Sequence, residues 1–485
     1  MNEIAADGVA TNDSPSMNGS RTSTSKYATP RRLERVLGLP SLVLFGLAYM
    51  VPLTVFTTYG LVTQATSGHL PAAYVVTLIT MLFTAYSYGR MAASLPYAGS
   101  AYAYASTSFG GNIGFMVGWA LLLDYLFVPM ICYLVIGIYM AQYFPDVPMS
   151  VWICGSILGA LILNVLGIKL LARVNFALIG VQIVFIVVFI AVSIVSIAGE
   201  PSVSYSAPFY SPDMNYQALL GGAAMLCLSF LGFDAVSTLS EETHNPTRNL
   251  PRAIMICTLV SGLLFILVAY VGHLVFPDWR AFKDADSASL QVIQHVGGQL
   301  LSAFFTAIYV AGSFACAMTS QASVSRILFA MGRNGVLPKR IFGLASKRFG
   351  TPVSTTVLVS LISLTALVIS LDLASTMISF GALTAFSFVN LSVIKHFLWD
   401  KGLRGPQALL RYGVIPFVGL ILTLWLWTSL SSTTFEVGLT WLGGGLLYLL
   451  FLTKGFRRPT PQLHQHEEDN SFNDGTHTQS LHKSV

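Results

Sequence analysis

The stretch FGLAYMVPLTVF, residues 45–56, decides the fold. It lies in an apolar run long enough to cross a bilayer, yet Pro52 stands in its middle with Thr54 beside it. Proline has no N–H to donate and its ring collides with the preceding turn, so the helix is expected to kink or unwind over residues 51–54. A plain proline kink in a packed bundle is the alternative reading of this segment alone. A second stretch, LSFLGFDA at residues 228–235, shifts the balance, because Ser229 and Gly232 weaken the sixth apolar run at a matching depth. Paired interruptions at corresponding positions of two halves point to an inverted repeat with a binding site at the breaks. The breaks lie five runs apart, an odd number, so the two five-helix units are expected to run in opposite senses.

Composition supports this reading. The chain has 485 residues, 54% of them hydrophobic and only 10% charged, with a mean hydropathy of +0.68, against roughly 25% charged residues in an ordinary soluble domain. The expected fold class is an all-α polytopic membrane protein. Apolar stretches of about 20 residues span a bilayer as helices. Twelve are expected, at 38–63, 72–94, 113–143, 150–168, 174–197, 217–240, 253–276, 299–326, 353–370, 373–397, 412–430 and 435–454. The first ten form the five-plus-five repeat, a leucine-transporter-like fold, and the last two lie outside it. A β-barrel would show shorter, strictly alternating segments, whereas IVFIVVFIAVSI at residues 183–194 is apolar on every face.

The polar segments 1–34 and 456–485 read as cytoplasmic tails, the first disordered and without the apolar core of a signal peptide. His464, His466, His477 and His482 in the second read as part of a solvated tail before they read as a metal tract. All five cysteines fall inside expected spans, where cysteine acts as a small hydrophobe. With the N-terminus in the cytoplasm, 24 of the 26 Lys and Arg residues fall on that side and only Arg280 and Lys283 outside. This bias predicts an even number of spans, with both termini cytoplasmic. The net charge of +5 therefore reports topology and not nucleic-acid binding.

The same survey isolates two acids. Every Lys and Arg sits in a loop or at a helix end, whereas Asp124 and Asp234 lie well inside the third and sixth spans. A charged side chain near the bilayer centre costs about 2.5 to 3.5 kcal/mol on insertion scales, so each needs a partner or a wet cavity. An interior with acids and no fixed bases favours a mobile cation: an amine, a proton or Na+. For each acid the plainer alternative is a structural hydrogen bond between helices.

Several segments together resemble the amino acid, polyamine and organocation transporter superfamily. They are LSFLGFDAVSTLSEETHNPTRNLPRAI (228–254), PYAGSAYAYA (96–105), GWALLLDYLF (118–127) and QASVSRILFAMGRNGVLP (321–338). The strings AYMVPLTVF, DYLFVPM and SFLGFDAVSTLSEET are most similar to the bacterial putrescine importers of that superfamily. The resemblance implies a secondary active importer in the bacterial inner membrane, working by alternating access, with putrescine or a similar amine as its partner. Amino acid carriers of the superfamily present a small Gly/Ser-rich turn in the first helix, whose backbone donors hold a carboxylate. Here the segment is Val51, Pro52, Leu53 and Thr54, with fewer free donors, which suits a substrate that has no carboxylate.

On that resemblance, Asp124 is expected to bind one ammonium by a charge-assisted hydrogen bond. Tyr125 would add cation–π attraction of about 0.5 to 2 kcal/mol. Carbonyls at the breaks, Val51 to Thr54 and Ser229 to Gly232, would receive the second ammonium, with Phe230 and Phe233 as walls. Asp234 is a candidate proton carrier or inner gate. Glu241 is a weaker one, beside Glu242 at the helix end, where pairing with Arg248 or Arg252 also accounts for it. Proton-coupled members often carry a lysine in the fifth helix; here the nearest polar residue is Gln182, which cannot titrate. Proton coupling then rests on a carboxylate, and Ser313, Thr319 and Ser320 keep a sodium site open. No nucleotide-binding motif occurs, so no cofactor is expected and an ion gradient supplies the energy. An amino acid permease or exchanger is the alternative within transport. A membrane enzyme lacks its His cluster or Ser/His pair, and a sensor its soluble output domain.

Overall fold

A computed structural model describes residues 37–95, 100–166, 171–198, 204–333, 336–343 and 352–460. The expected N-terminal tail lies outside the described residues, as do most of the C-terminal tail and the side chain of Glu241. Among the described residues no strand occurs beyond a single bridge between Leu37 and Thr243. Eleven helices are long and apolar enough to cross a membrane. Numbered by span, they are helix 1 (Leu39–Phe56), helix 2 (Leu70–Ser94), helix 3 (Gly111–Tyr143), helix 4 (Met149–Leu166), helix 5 (Leu178–Ile197), helix 6 (Tyr216–Ser240), helix 7 (Pro246–Val275), helix 8 (Ala288–Phe329), helix 10 (Leu371–Asp400), helix 11 (Pro406–Thr428) and helix 12 (Ser432–Leu452). Helix 9 is the shorter apolar Val353–Leu367. Its last turn tightens into a 3-10 helix at Leu364–Leu367, so this span is shorter than the expected 353–370. The chain is an all-α polytopic membrane protein.

Two further differences concern connections. Ser100–Phe109 is helical, although SAYAYASTSF is too short and too polar to register as a span. Helix 8 starts eleven residues before its expected boundary, and its first turns are set off by a kink at Gly297 and Gly298.

Helices 1, 2, 6 and 7 pack on one another, and helices 3, 4, 8 and 9 form a second group, with helix 10 against helices 2 and 3. The outer faces of helices 4 and 5 carry exposed Leu158, Ile162, Val184, Val187 and Val195. Apolar side chains on so much unpartnered surface belong against lipid. At the end of the bundle that bears the termini, Leu37 N donates to Glu242 O at 2.9 Å and His244 N donates to Leu37 O at 2.9 Å. The start of helix 1 is thereby tied to the segment leaving helix 6. The first residues of the expected C-terminal tail are also anchored, since Thr460 Oγ1 bonds Asn112 Oδ1 at the start of helix 3.

Helix 12 locks onto helix 3 through two tryptophans. Trp119 and Trp441 stack at 5.2 Å, Trp119 Nε1 donates to Trp441 O at 2.9 Å and Trp441 Nε1 donates to Trp119 O at 2.8 Å. Gly445 makes room, because a Cβ there would lie 2.3 Å from Trp119 Cδ1. Trp441→Ala removes the ring pair and the bond that Trp441 Nε1 donates to Trp119 O, together about 2 kcal/mol. The expected result is a lower thermal midpoint of the purified protein, read by the loss of helical signal on heating.

At the opposite end, the connection between helices 7 and 8 gathers acids. Burial, then the charges of Asp284 and Asp372, hold the half-buried Asp286 carboxyl above the usual carboxylate range. A raised acid binds its proton more tightly in the folded state, so its penalty is full above the folded pKa, shrinks as pH falls through it and is gone below the unfolded pKa. Asp286→Asn is expected to shrink the gain in thermal midpoint on acidification from pH 7 to pH 5, measured as a melting series.

Candidate substrate site

The first break is a true interruption. The α-helix ends at Met50, Val51 takes φ 48° and ψ 102°, and Pro52 opens a 3-10 turn through Phe56. Positive φ is unfavourable for a β-branched residue, and proline's inability to continue the ladder accounts for the stop. Thr54 then caps the broken end: its Oγ1 donates to Met50 O at 2.9 Å and its N–H to Val51 O at 2.8 Å. Both break carbonyls already hold one donor and retain one lone pair each.

The second break is built on glycine. Helix 6 tightens into a 3-10 turn at Leu226–Phe230, Leu231 becomes extended, and Gly232 takes φ 125°. A Cβ at Gly232 would lie 2.7 Å from Tyr49 Cδ1 and 3.1 Å from Met50 N. The two breaks therefore touch, and only a residue without a side chain lets them. Ser229 Oγ pairs with Tyr74 Oη at 3.1 Å. Asp234 lies directly beside the break, for its Oδ1 accepts from Gly232 N at 3.1 Å. Asp234 thus caps the discontinuity with its own carboxylate.

Asp124 is placed differently. It is 4% exposed; among the described residues it makes no hydrogen bond and no ion pair, and its oxygens are not among the fully enclosed unpartnered atoms. Helix 10 approaches closely behind it, since a Cβ at Gly381 would lie 2.6 Å from Ala120 O and 3.5 Å from Asp124 N. Asp124 is within electrostatic reach of Asp234, and both acids act on Tyr125. Two buried carboxylates, one of them without a partner, thus lie within electrostatic reach of each other, with no fixed cation paired to either among the described residues.

Sequence reasoning missed Tyr49. Its phenol lies within reach of Tyr125, Asp124, Asp234 and Cys316, and its ring rests on Gly232. The available signal was an aromatic residue two positions before an interruption. Phe233 joins the same region, fully buried against Tyr88 at 5.5 Å and Phe386 at 5.3 Å. Phe230 turns toward helix 7 and packs on Phe265 at 5.6 Å, a core position. Tyr88 and Ser100, on the termini side, are buried within reach of each other, and Tyr125 also reaches Ser100.

Aromatic rings cluster on either side of the breaks. Toward the opposite end, Phe56 meets Phe189 at 5.6 Å and Phe305 at 5.1 Å, Tyr139 Oη donates to Phe56 O at 3.1 Å, and Thr57 bonds Tyr309. Toward the termini, Tyr88, Phe233 and Phe386 pack on one another. Gln182 of helix 5 is buried with Oε1 unpartnered, beside Gly312 of helix 8. Of the three hydroxyls kept for sodium, Thr319 donates to Ala315 O at 2.9 Å and Ser320 to Cys316 O at 2.7 Å, whereas Ser313 makes no hydrogen bond among the described residues. No group of three metal-ligating side chains occurs among the described residues.

Two interrupted helices meeting beside a buried unpaired acid, in a bundle that spans the membrane, define a transporter and not an enzyme. The amino acid permease family model matches residues 41–447. The chain belongs to that family, within the amino acid, polyamine and organocation superfamily. It is 39% identical over 437 residues to the low-affinity putrescine importer PlaP of Escherichia coli K12, covering 89% of this chain and 96% of that protein. It is 27% identical to the branched-chain amino acid permease BcaP of Bacillus subtilis, over 87% of this chain and 94% of that one. It is 28% identical to the vacuolar cationic amino acid transporter 4 of Arabidopsis thaliana, over 75% of this chain and 64% of that one.

Proposed function

We propose that the protein imports putrescine or a closely similar amine across a bacterial inner membrane, with both termini cytoplasmic, driven by an ion gradient. The observation that carries this reading is Asp124, a buried carboxylate whose partner is absent from the described residues. A primary ammonium supplies that partner and makes the strongest hydrogen bond open to a carboxylate in a dry site. Tyr49 and Tyr125 offer ring faces to the cation and to the methylene chain. The remaining lone pairs at Met50 and Val51, with Tyr88 Oη and Ser100 Oγ, are acceptors for the second ammonium. The thin supply of free backbone donors at the first break weighs against a substrate carboxylate, and the likeness to a putrescine importer agrees.

Coupling follows from what can titrate. Gln182 cannot, so a proton would ride on Asp124 or Asp234. Loss of charge at Asp234 would weaken its hold on Gly232 N and loosen the second break, linking protonation to the movement of helix 6. We assign the alternating motion to helices 1, 2, 6 and 7 moving against helices 3, 4, 8 and 9. An amino acid substrate is the second reading, favoured by the family match and by the likeness to BcaP.

The test is uptake of labelled putrescine, spermidine, agmatine, lysine and neutral amino acids into vesicles under separately imposed proton and sodium gradients. Putrescine uptake driven by the proton gradient is the expected result. Entry of neutral amino acids without diamines overturns the substrate, and uptake driven by sodium alone overturns the coupling ion.

A further inference from the structure

We propose that the junction between helices 10 and 11 binds the phosphate headgroup of an anionic phospholipid. A cavity of about 600 Å³ opens there, lined by Arg404, Gln407, Arg411 and Tyr412 among others. Both arginines are exposed, and neither has an acidic partner among the described residues; the nearby ion pair, Lys395 with Asp400 at 2.7 Å, uses up the one acid of this segment. The floor is firm, because Tyr412 stacks on Phe397 at 4.2 Å and the Arg90 guanidinium of helix 2 lies over the Tyr412 ring, 5.8 Å from its centroid. Lys401, a third cation, is fixed by donating to Ser94 Oγ at 2.7 Å.

Two features select the ligand. Guanidinium groups present a planar fork of donors matched to phosphate oxygens, and a pair of them unopposed by acid favours an anion. The rim is apolar: Trp399 is 76% exposed, with Leu403, Leu409, Leu410 and Val414 also exposed. Such a rim is unfavourable in water and natural at the level of lipid headgroups, where tryptophan concentrates. A soluble anion needs only the arginines, whereas a lipid uses the arginines and the rim together. Basic pockets at the positively charged membrane face are suited to headgroups of this kind. The general excess of cations on this face orients the chain but does not call for a cavity.

Native mass spectrometry of the purified full chain tests the proposal, with phosphatidylglycerol and phosphatidylcholine of identical acyl chains added in turn. Wild type is expected to retain phosphatidylglycerol over phosphatidylcholine by about tenfold or more, because each arginine adds its own attraction for the anionic headgroup. Arg404→Gln with Arg411→Gln is expected to lose the preference. Arg404→Lys with Arg411→Lys, which keeps the charge, retains part of it, and Lys339→Gln with Arg340→Gln, an exposed basic pair outside the cavity, keeps it whole. Equal retention of the two lipids by wild type overturns the proposal, as does an undiminished preference in the glutamine double variant. Displacement of phosphatidylglycerol by inorganic phosphate overturns it too, because the site then serves a soluble anion.

Discussion

Asp124→Asn is expected to cut putrescine uptake at low substrate concentration by about a hundredfold, equivalent to about 2.7 kcal/mol, without lowering the thermal midpoint. The two readouts are opposed for a physical reason. An isolated buried carboxylate destabilises the empty protein by about 2.5 to 3.5 kcal/mol, and asparagine relieves that penalty. The same substitution replaces a charge-assisted bond to the ammonium with a neutral one of about half the strength. A carboxylate that served only to join helices would behave in the reverse way: its removal would lower stability and leave affinity intact. Uptake and melting measured on the same preparation separate the cases. Undiminished putrescine binding by the asparagine variant sinks the assignment of Asp124 while leaving the fold untouched.

Gly232→Ala is expected to reduce uptake by more than tenfold, with the loss in turnover as well as in affinity. At φ 125° a side chain costs about 1 to 3 kcal/mol in backbone strain alone. The added methyl would also press on Tyr49 Cδ1, 2.7 Å away, and on the backbone of Met50. The protein can accept it only by parting the two breaks, which moves Tyr49 and the cap on Asp234 together. Ser229→Ala is the informative companion, since it removes the bond to Tyr74 at 3.1 Å and leaves the backbone path unchanged. It is expected to cost about 1 kcal/mol of stability and to leave uptake within about threefold. Equal losses from the two variants would show that general disorder of helix 6, and not the meeting of the breaks, underlies the effect.

The broken helices were legible because their causes are local. Pro52 cannot continue a ladder, and Gly232 is the residue that tolerates the backbone turn, so both interruptions could be placed to within a residue or two. Eleven of the twelve expected spans are helices long and apolar enough to cross a membrane among the described residues; the ninth is shorter than expected, since a 3-10 turn such as Leu364–Leu367 has no compositional mark. Asp124 stood out because charge is expensive in lipid. Tyr49 did not, because an aromatic side chain in a membrane helix reads as packing until the structure shows acids on its flank. The same limit separated Phe233, which faces Tyr88, from Phe230, which faces Phe265: three positions apart on a distorted turn, their directions depend on backbone angles that no periodicity gives. The cap from Asp234 to Gly232 was hidden for the same reason, as it exists only where the helix has already ceased.

The bridge at Leu37 has a mechanical meaning. Its two backbone bonds, from Leu37 to Glu242 and from His244 to Leu37, join the entrance of helix 1 to the exit of helix 6. Any displacement that separates these ends must break both bonds, whereas one that swings them together breaks neither. In the alternating motion proposed above, the termini-side halves of the two interrupted helices would therefore move as a single door leaf, with Val51 and Gly232 as its pair of hinge pins.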